Sequence, residues 1–155
     1  MSKPYWDTSC ILALYVKESL SPQAVALATK QEQALTSSAI LEHEMIFALH
    51  AKEAKGEIPK GSAIRVLTKF QSDLLRGRFM IAPLGRDIVT QASRIAKDCA
   101  QAGLPLFLRT LDGIHIATAI ELKASVIITS DKRMAAAAAH LGVSVNCLTL
   151  PTPST

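Results

Sequence analysis

The chain has 155 residues, enough for one domain with a sizeable core. With 49% hydrophobic and 19% charged residues it is not a disordered polyelectrolyte, and with aromatics at 5% its core must rest on Ala, Leu, Ile and Val. A net charge of +4 suits a polyanionic partner without demanding one.

The opening MSKPYWDTSC has no apolar core behind a basic start, and the most hydrophobic stretches are short or cut by Glu121 and Lys123. The expectation is therefore a cytoplasmic protein with no membrane association. Cys10, Cys99 and Cys147 are odd in number and widely spaced, which speaks against a disulfide framework or a zinc site and for buried reduced thiols.

In chain order, a short strand is predicted over 3–6, a helix from near Ser9 through ILALYVKE, and a second helix over 21–30. ALTSS reads as a strand. A long helix over 38–55 follows, with Gly56 as its stop. Pro59 and Lys60 open a helix ending near Gly77, and RFMIAPL is a strand. Residues 87–101 form a helix closed by Gly103, and 110–123 another with Thr110 as N-cap. SVIITS is a buried strand, 134–141 a helix stopped by Gly142, and VSVNCL the last strand. This alternation implies an α/β fold with a mainly parallel sheet covered on both faces. Residues 1–150 are read as a single domain and 151–155 as a flexible polar tail.

In such sheets ligands bind at the carboxyl ends of the strands. Asp7 follows the first strand directly, and Asp131 follows VIITS. Asp112 lies in the first turn of LDGIHIATAIEL, where the helix dipole favours a carboxylate. Glu44 borders the apolar stripe of AILEHEMIFALH, whereas Glu42 points to solvent. Taken singly, each acid has an ordinary explanation: an Asx turn, a helix-start charge, an N-cap, a solvated helix charge. Taken together, acids held close repel and raise one another's pKa unless a cation neutralises them. Oxygen-only ligands select a hard ion such as Mg²⁺ or Mn²⁺, which binds phosphates and activates water.

Four segments then resemble PIN-domain ribonucleases of the VapC toxin type. They are YWDTSCILALYVKE, TSSAILEHEMIFALH, LRTLDGIHIATAIEL and VIITSDKRMAAAAAHLGVSV, in order along nearly the whole chain. The resemblance implies a three-layer α/β/α sandwich around a parallel sheet of about five strands. It implies Asp7, Glu44, Asp112 and Asp131 as catalytic metal ligands, with Thr129 as a hydroxyl behind them. It implies a Mg²⁺-dependent (or Mn²⁺-dependent) endoribonuclease cleaving RNA by metal-activated water, a homodimer, and a small antitoxin partner. Alternatives are a non-toxin PIN nuclease in RNA processing and a catalytically silent PIN scaffold. A phosphohydrolase using Asp7 as nucleophile would need a second Asp where Ser9 stands.

Two positions depart from the family pattern: Gly113 replaces the usual Ala, and Trp6 a small β-branched residue. Gly113 could loosen the helix start, and Trp6 reads as core. Arg109, just before Asp112, is the candidate phosphate contact. His115 reads as a packed helix histidine rather than a proton shuttle. The basic residues from Lys52 to Arg78 read as a solvated helical face, and the apolar stretch 104–108 as a feature beside the site that shapes substrate access or a partner contact.

Overall fold

A computed structural model describes residues 3–103 and 108–150. The expected tail and most of the apolar stretch 104–108 lie outside the described residues. Five strands alternate with helices: β1 (Tyr5–Trp6), α1 (Thr8–Tyr15), α2 (Ser21–Thr29), β2 (Leu35–Ser38), α3 (Leu41–Ala54), α4 (Ser62–Leu75) and β3 (Phe79–Ala82). Then come α5 (Arg86–Gln101), α6 (Thr110–Glu121), β4 (Ile127–Thr129), α7 (Lys132–His140) and β5 (Val145–Cys147).

All pairings are parallel, in the order β3-β2-β1-β4-β5. Alternate residues of a strand face opposite sides, and two residues of β1 suffice to join both cores. Trp6 is buried with Cys10–Ala13 of α1, Leu41, Met45 and Leu49 of α3, and Leu67 and Phe70 of α4. Tyr5 is buried with Ile95 of α5, Ile116 of α6 and Met134 of α7. Ile128 and Ile127 of β4 divide in the same way. The result is the expected α/β/α sandwich, with α1–α4 over one face and α5–α7 over the other. Trp6 does fill core, and its indole N–H donates to Gln31 Oε1 at 2.8 Å.

Several helix starts differ from expectation. Ser38 is the last residue of β2, paired with Ala82, so α3 begins at Leu41. Gly61, at φ +78°, turns the chain into α4, which starts at Ser62 rather than Pro59. Thr110 is the first helical residue of α6, and Arg109 in extended conformation is its N-cap. Helix α7 starts two residues early, because the Asp131 side chain caps it.

The topology positions the site. From β1 the chain runs outward through β2 to β3, then crosses back to β4 on the other side of β1. The order reverses between β1 and β4, and in open parallel sheets ligands bind beyond the carboxyl ends of the strands at such a reversal. Among the described residues no helix is long and apolar enough to cross a membrane.

Candidate functional site

Asp7 is the first residue beyond β1 and is 6% exposed. Its Oδ2 accepts two hydroxyl hydrogen bonds, from Ser9 at 2.6 Å and Thr129 at 2.8 Å. Thr129 ends β4, is fully buried, and also accepts the Asp131 amide at 3.0 Å. One hydroxyl thus ties the two strand ends together. Asp131 Oδ1 accepts the amides of Arg133 (2.8 Å) and Met134 (3.3 Å).

Glu44 lies in the first turn of α3, beside buried Leu41 and Met45, while Glu42 is exposed. Its Oε2 accepts from the Thr8 hydroxyl and lies 2.8 Å from His115 Nε2. His115 is 1% exposed; the same Nε2 lies 3.5 Å from Asp7 Oδ1, and its Nδ1 meets the Tyr5 hydroxyl at 2.6 Å. Asp112 Oδ2 accepts the Arg109 backbone N–H at 3.2 Å, which secures the start of α6. The Arg109 guanidinium spans two acids, with Nε 3.7 Å from Asp112 Oδ2 and Nη2 3.1 Å from Asp131 Oδ2.

A model of the PIN domain matches residues 5–140. Ribonuclease VapC46 of Mycobacterium tuberculosis is 33% identical over 147 residues, covering 94% of this chain and 97% of that protein.

The chain belongs to the PIN-domain family.

Within it, the likeness to VapC46 over nearly the whole of both chains puts it with the VapC type. Solved PIN structures share its fold. FitAcB from Neisseria gonorrhoeae superposes with a TM-score of 0.70 at 19% identity, over 92% of this chain and 95% of that one. VapBC2 from Rickettsia felis, bound to a DNA fragment from its promoter, gives 0.65 at 14% identity, over 94% and 98%.

In this PIN domain the four acids form a linked series rather than a closed cage. His115 joins Glu44 to Asp7, Thr129 joins Asp7 to Asp131, and Arg109 joins Asp131 to Asp112. Among the described residues no three His, Cys, Asp or Glu side chains already stand as a metal-ligand group. Hydrogen-bond donors hold Asp7 by Oδ2, Glu44 by Oε2 and Asp112 by Oδ2; Asp7 Oδ1 faces His115 Nε2 at 3.5 Å, while among the described residues Glu44 Oε1 and Asp112 Oδ1 accept no hydrogen bond.

The electrostatics show that the acids sense one another. Burial, and then the charges of Asp131 and Asp7, raise the Asp112 pKa despite the Arg109 amide. Burial opposes ionisation of Glu44, yet the hydrogen bond and charge of His115 hold its pKa below the usual value. Burial would lower His115, but the bond to Glu44 and the charges of Asp7, Glu44 and Asp112 raise it. Asp131 is held low, against burial, chiefly by the Arg133 amide and side chain. Negative charge is thus concentrated at one end of the sheet, where the Arg109 and Arg133 guanidinium groups and the buried His115 imidazole face it. In donor chemistry, an oxygen-rich set of partly free carboxylates suits a hard divalent ion.

His115 was read from sequence as packed, and it is, but it is packed inside the acid series. The signal available was its i+3 spacing from Asp112, which places both on one helix face. Tyr5 and Thr8 were not singled out; neither carries a sequence signal apart from its distant partners. Part of the basic helical face is tied up locally. Lys52 pairs with Glu18 and Glu57, Arg78 with Asp73, and Lys69 lies over the Tyr15 ring.

Proposed function

We propose that this PIN domain is a metal-dependent endoribonuclease and the toxin of a toxin–antitoxin pair, acting in the cytoplasm. The observation that carries the reading is the linked series of four carboxylates beyond the carboxyl ends of β1 and β4, with Asp7, Glu44 and Asp112 each hydrogen-bonded through one oxygen. The VapC46 relative is named a ribonuclease, which supports the activity, and the fold shared with VapBC2, a structure bound to promoter DNA, is consistent with a small antitoxin partner. The same reading makes the protein a homodimer, as the family likeness suggests.

Asp7 and Asp112 would hold the principal Mg²⁺ or Mn²⁺, with Glu44 and Asp131 completing the cluster. When bound, such an ion binds phosphate oxygens and makes water a better nucleophile near neutral pH. Ser9 and Thr129 keep the Asp7 carboxylate from rotating. Glu44, held ionised by His115, presents Oε1 as an acceptor for a water proton. Arg109, 63% exposed along its side chain, exchanges its contacts with Asp112 and Asp131 for an RNA phosphate.

The test is cleavage of RNA in Mg²⁺ or Mn²⁺ by wild type, Asp7→Asn and Asp112→Asn. Each variant keeps its shape and loses one charge; the expected loss in kcat/KM exceeds ~100-fold. Persistent cleavage by both variants would remove the mechanism. Growth arrest on expression, relieved by a neighbouring open reading frame, tests the toxin role.

A further inference from the structure

We propose that His115 is a positioning residue of the acid site: through Nε2 it sets the Glu44 carboxylate and couples it to Asp7, and through Nδ1 it is itself aimed by Tyr5. The proposal rests on the reading of these acids as the metal site.

The geometry leaves His115 little freedom. The ring is 1% exposed and rests against Tyr5, itself part of the core that holds Ile116, Ala119 and Ile127. A carboxylate oxygen can only accept, so Nε2, at 2.8 Å from Glu44 Oε2, carries the hydrogen. Nδ1 is then the acceptor in the neutral ring, and the Tyr5 hydroxyl at 2.6 Å donates to it. Tyr5 is fully buried and its ring meets the imidazole edge-on at 5.7 Å between centroids. The tyrosine therefore fixes the ring orientation, and Nε2 carries its hydrogen towards the acids.

The consequence falls on Glu44, whose carboxylate would otherwise be free to turn about three side-chain bonds on a helix whose exposed face borders solvent. Oε2 is fixed between His115 and Thr8, and this leaves Oε1 pointing away from both donors. Nε2 also stands 3.5 Å from Asp7 Oδ1, so a single N–H faces acids from α3 and from the end of β1. Three elements that are far apart in sequence are thereby registered by one side chain. A group bonded to a metal ligand from behind sets its orientation and basicity, and losing it typically costs ~10–100-fold in metal affinity or activity.

The test uses the full chain, four single variants (His115→Leu, His115→Gln, Tyr5→Phe and Glu44→Gln) and one double variant. Mn²⁺ affinity is measured by electron paramagnetic resonance without RNA, beside kcat and KM for RNA cleavage and thermal unfolding. His115→Leu should lower Mn²⁺ affinity and kcat by ~10–100-fold with KM little changed. His115→Gln, which restores an N–H donor, should recover part of the loss. Tyr5→Phe, which keeps the ring and removes only the hydroxyl, should lose ~10-fold. The double variant His115→Leu with Glu44→Gln should bind Mn²⁺ no more weakly than the worse single variant. Wild-type affinity and kcat in His115→Leu would overturn the proposal, as would additive losses in the double variant. If His115→Leu does not fold, Tyr5→Phe decides: unchanged affinity and kcat overturn it. A wild type that binds Mn²⁺ with this coupling yet leaves RNA intact supports the positioning role while removing the nuclease reading.

Discussion

Asp7 and Asp131 could be found from sequence because a strand-end carboxylate advertises itself: an apolar run stops and an acid follows. Glu44 needed the helical stripe and the family likeness together, since Glu42 two residues away has the same chemistry and is exposed. His115 could not be assigned its partners from sequence, because Tyr5 and Glu44 are 110 and 71 positions away. The cysteines make a residue-scale prediction. Burial, and then the Asp7 charge, push the Cys10 thiol up to about 12, and burial raises Cys99 and Cys147 as well, but Cys10 and Cys99 are buried while Cys147 is only part-buried. Iodoacetamide at pH 8 should modify Cys147 in the native protein and spare Cys10 and Cys99 until urea is added. Rapid labelling of Cys10 in the folded state would contradict the packing of α1.

At the scale of elements, helix ends were the least legible part, because caps compete with neighbouring strands for the same residues. Ser38 is a plausible helix start, but the ladder to Ala82 claims it for β2. Asp131 both caps α7 and belongs to the acid series, and substitution separates these roles. Asp131→Asn keeps an acceptor for the Arg133 and Met134 amides, so thermal stability should hold while cleavage falls. Asp131→Ala should lose cleavage and also ~1 kcal/mol of stability. Equal stability of the two variants would show that the cap contributes nothing. Gly113 does not disrupt α6: its amide still bonds to Arg109 O at 3.1 Å. An added Cβ would meet Ala92 and Leu108 at 3.7–3.8 Å, ordinary contact distances. Gly113→Ala should therefore stabilise the protein by ~0.5–1 kcal/mol, read by urea unfolding, and a loss of stability would show a crowding that the geometry lacks.

At the scale of the whole molecule, the fold class was legible because the alternation of short apolar runs and helices permits few arrangements, and a parallel sheet needs cover on both faces. The strand order was not legible from periodicity. It depends on which helix covers which face, and that is decided by contacts such as Trp6 with α3 and Tyr5 with α6. The reversal between β1 and β4 converts four separate acids into one neighbourhood. The charge balance of +4 also acts at this scale. RNA binding should weaken as salt rises, and Arg109→Ala should flatten that dependence by removing one phosphate contact. Unchanged binding and slope would free Arg109 of the role.

The proposal that these acids share one hard cation is tested directly by adding Mn²⁺ to ¹⁵N-labelled protein and following the loss of amide signals. Paramagnetic broadening should begin at the amides of residues 7–9, 44, 109–113 and 129–132, and Mg²⁺ should reverse it. Broadening that starts elsewhere, or spreads evenly over the surface, would contradict the site.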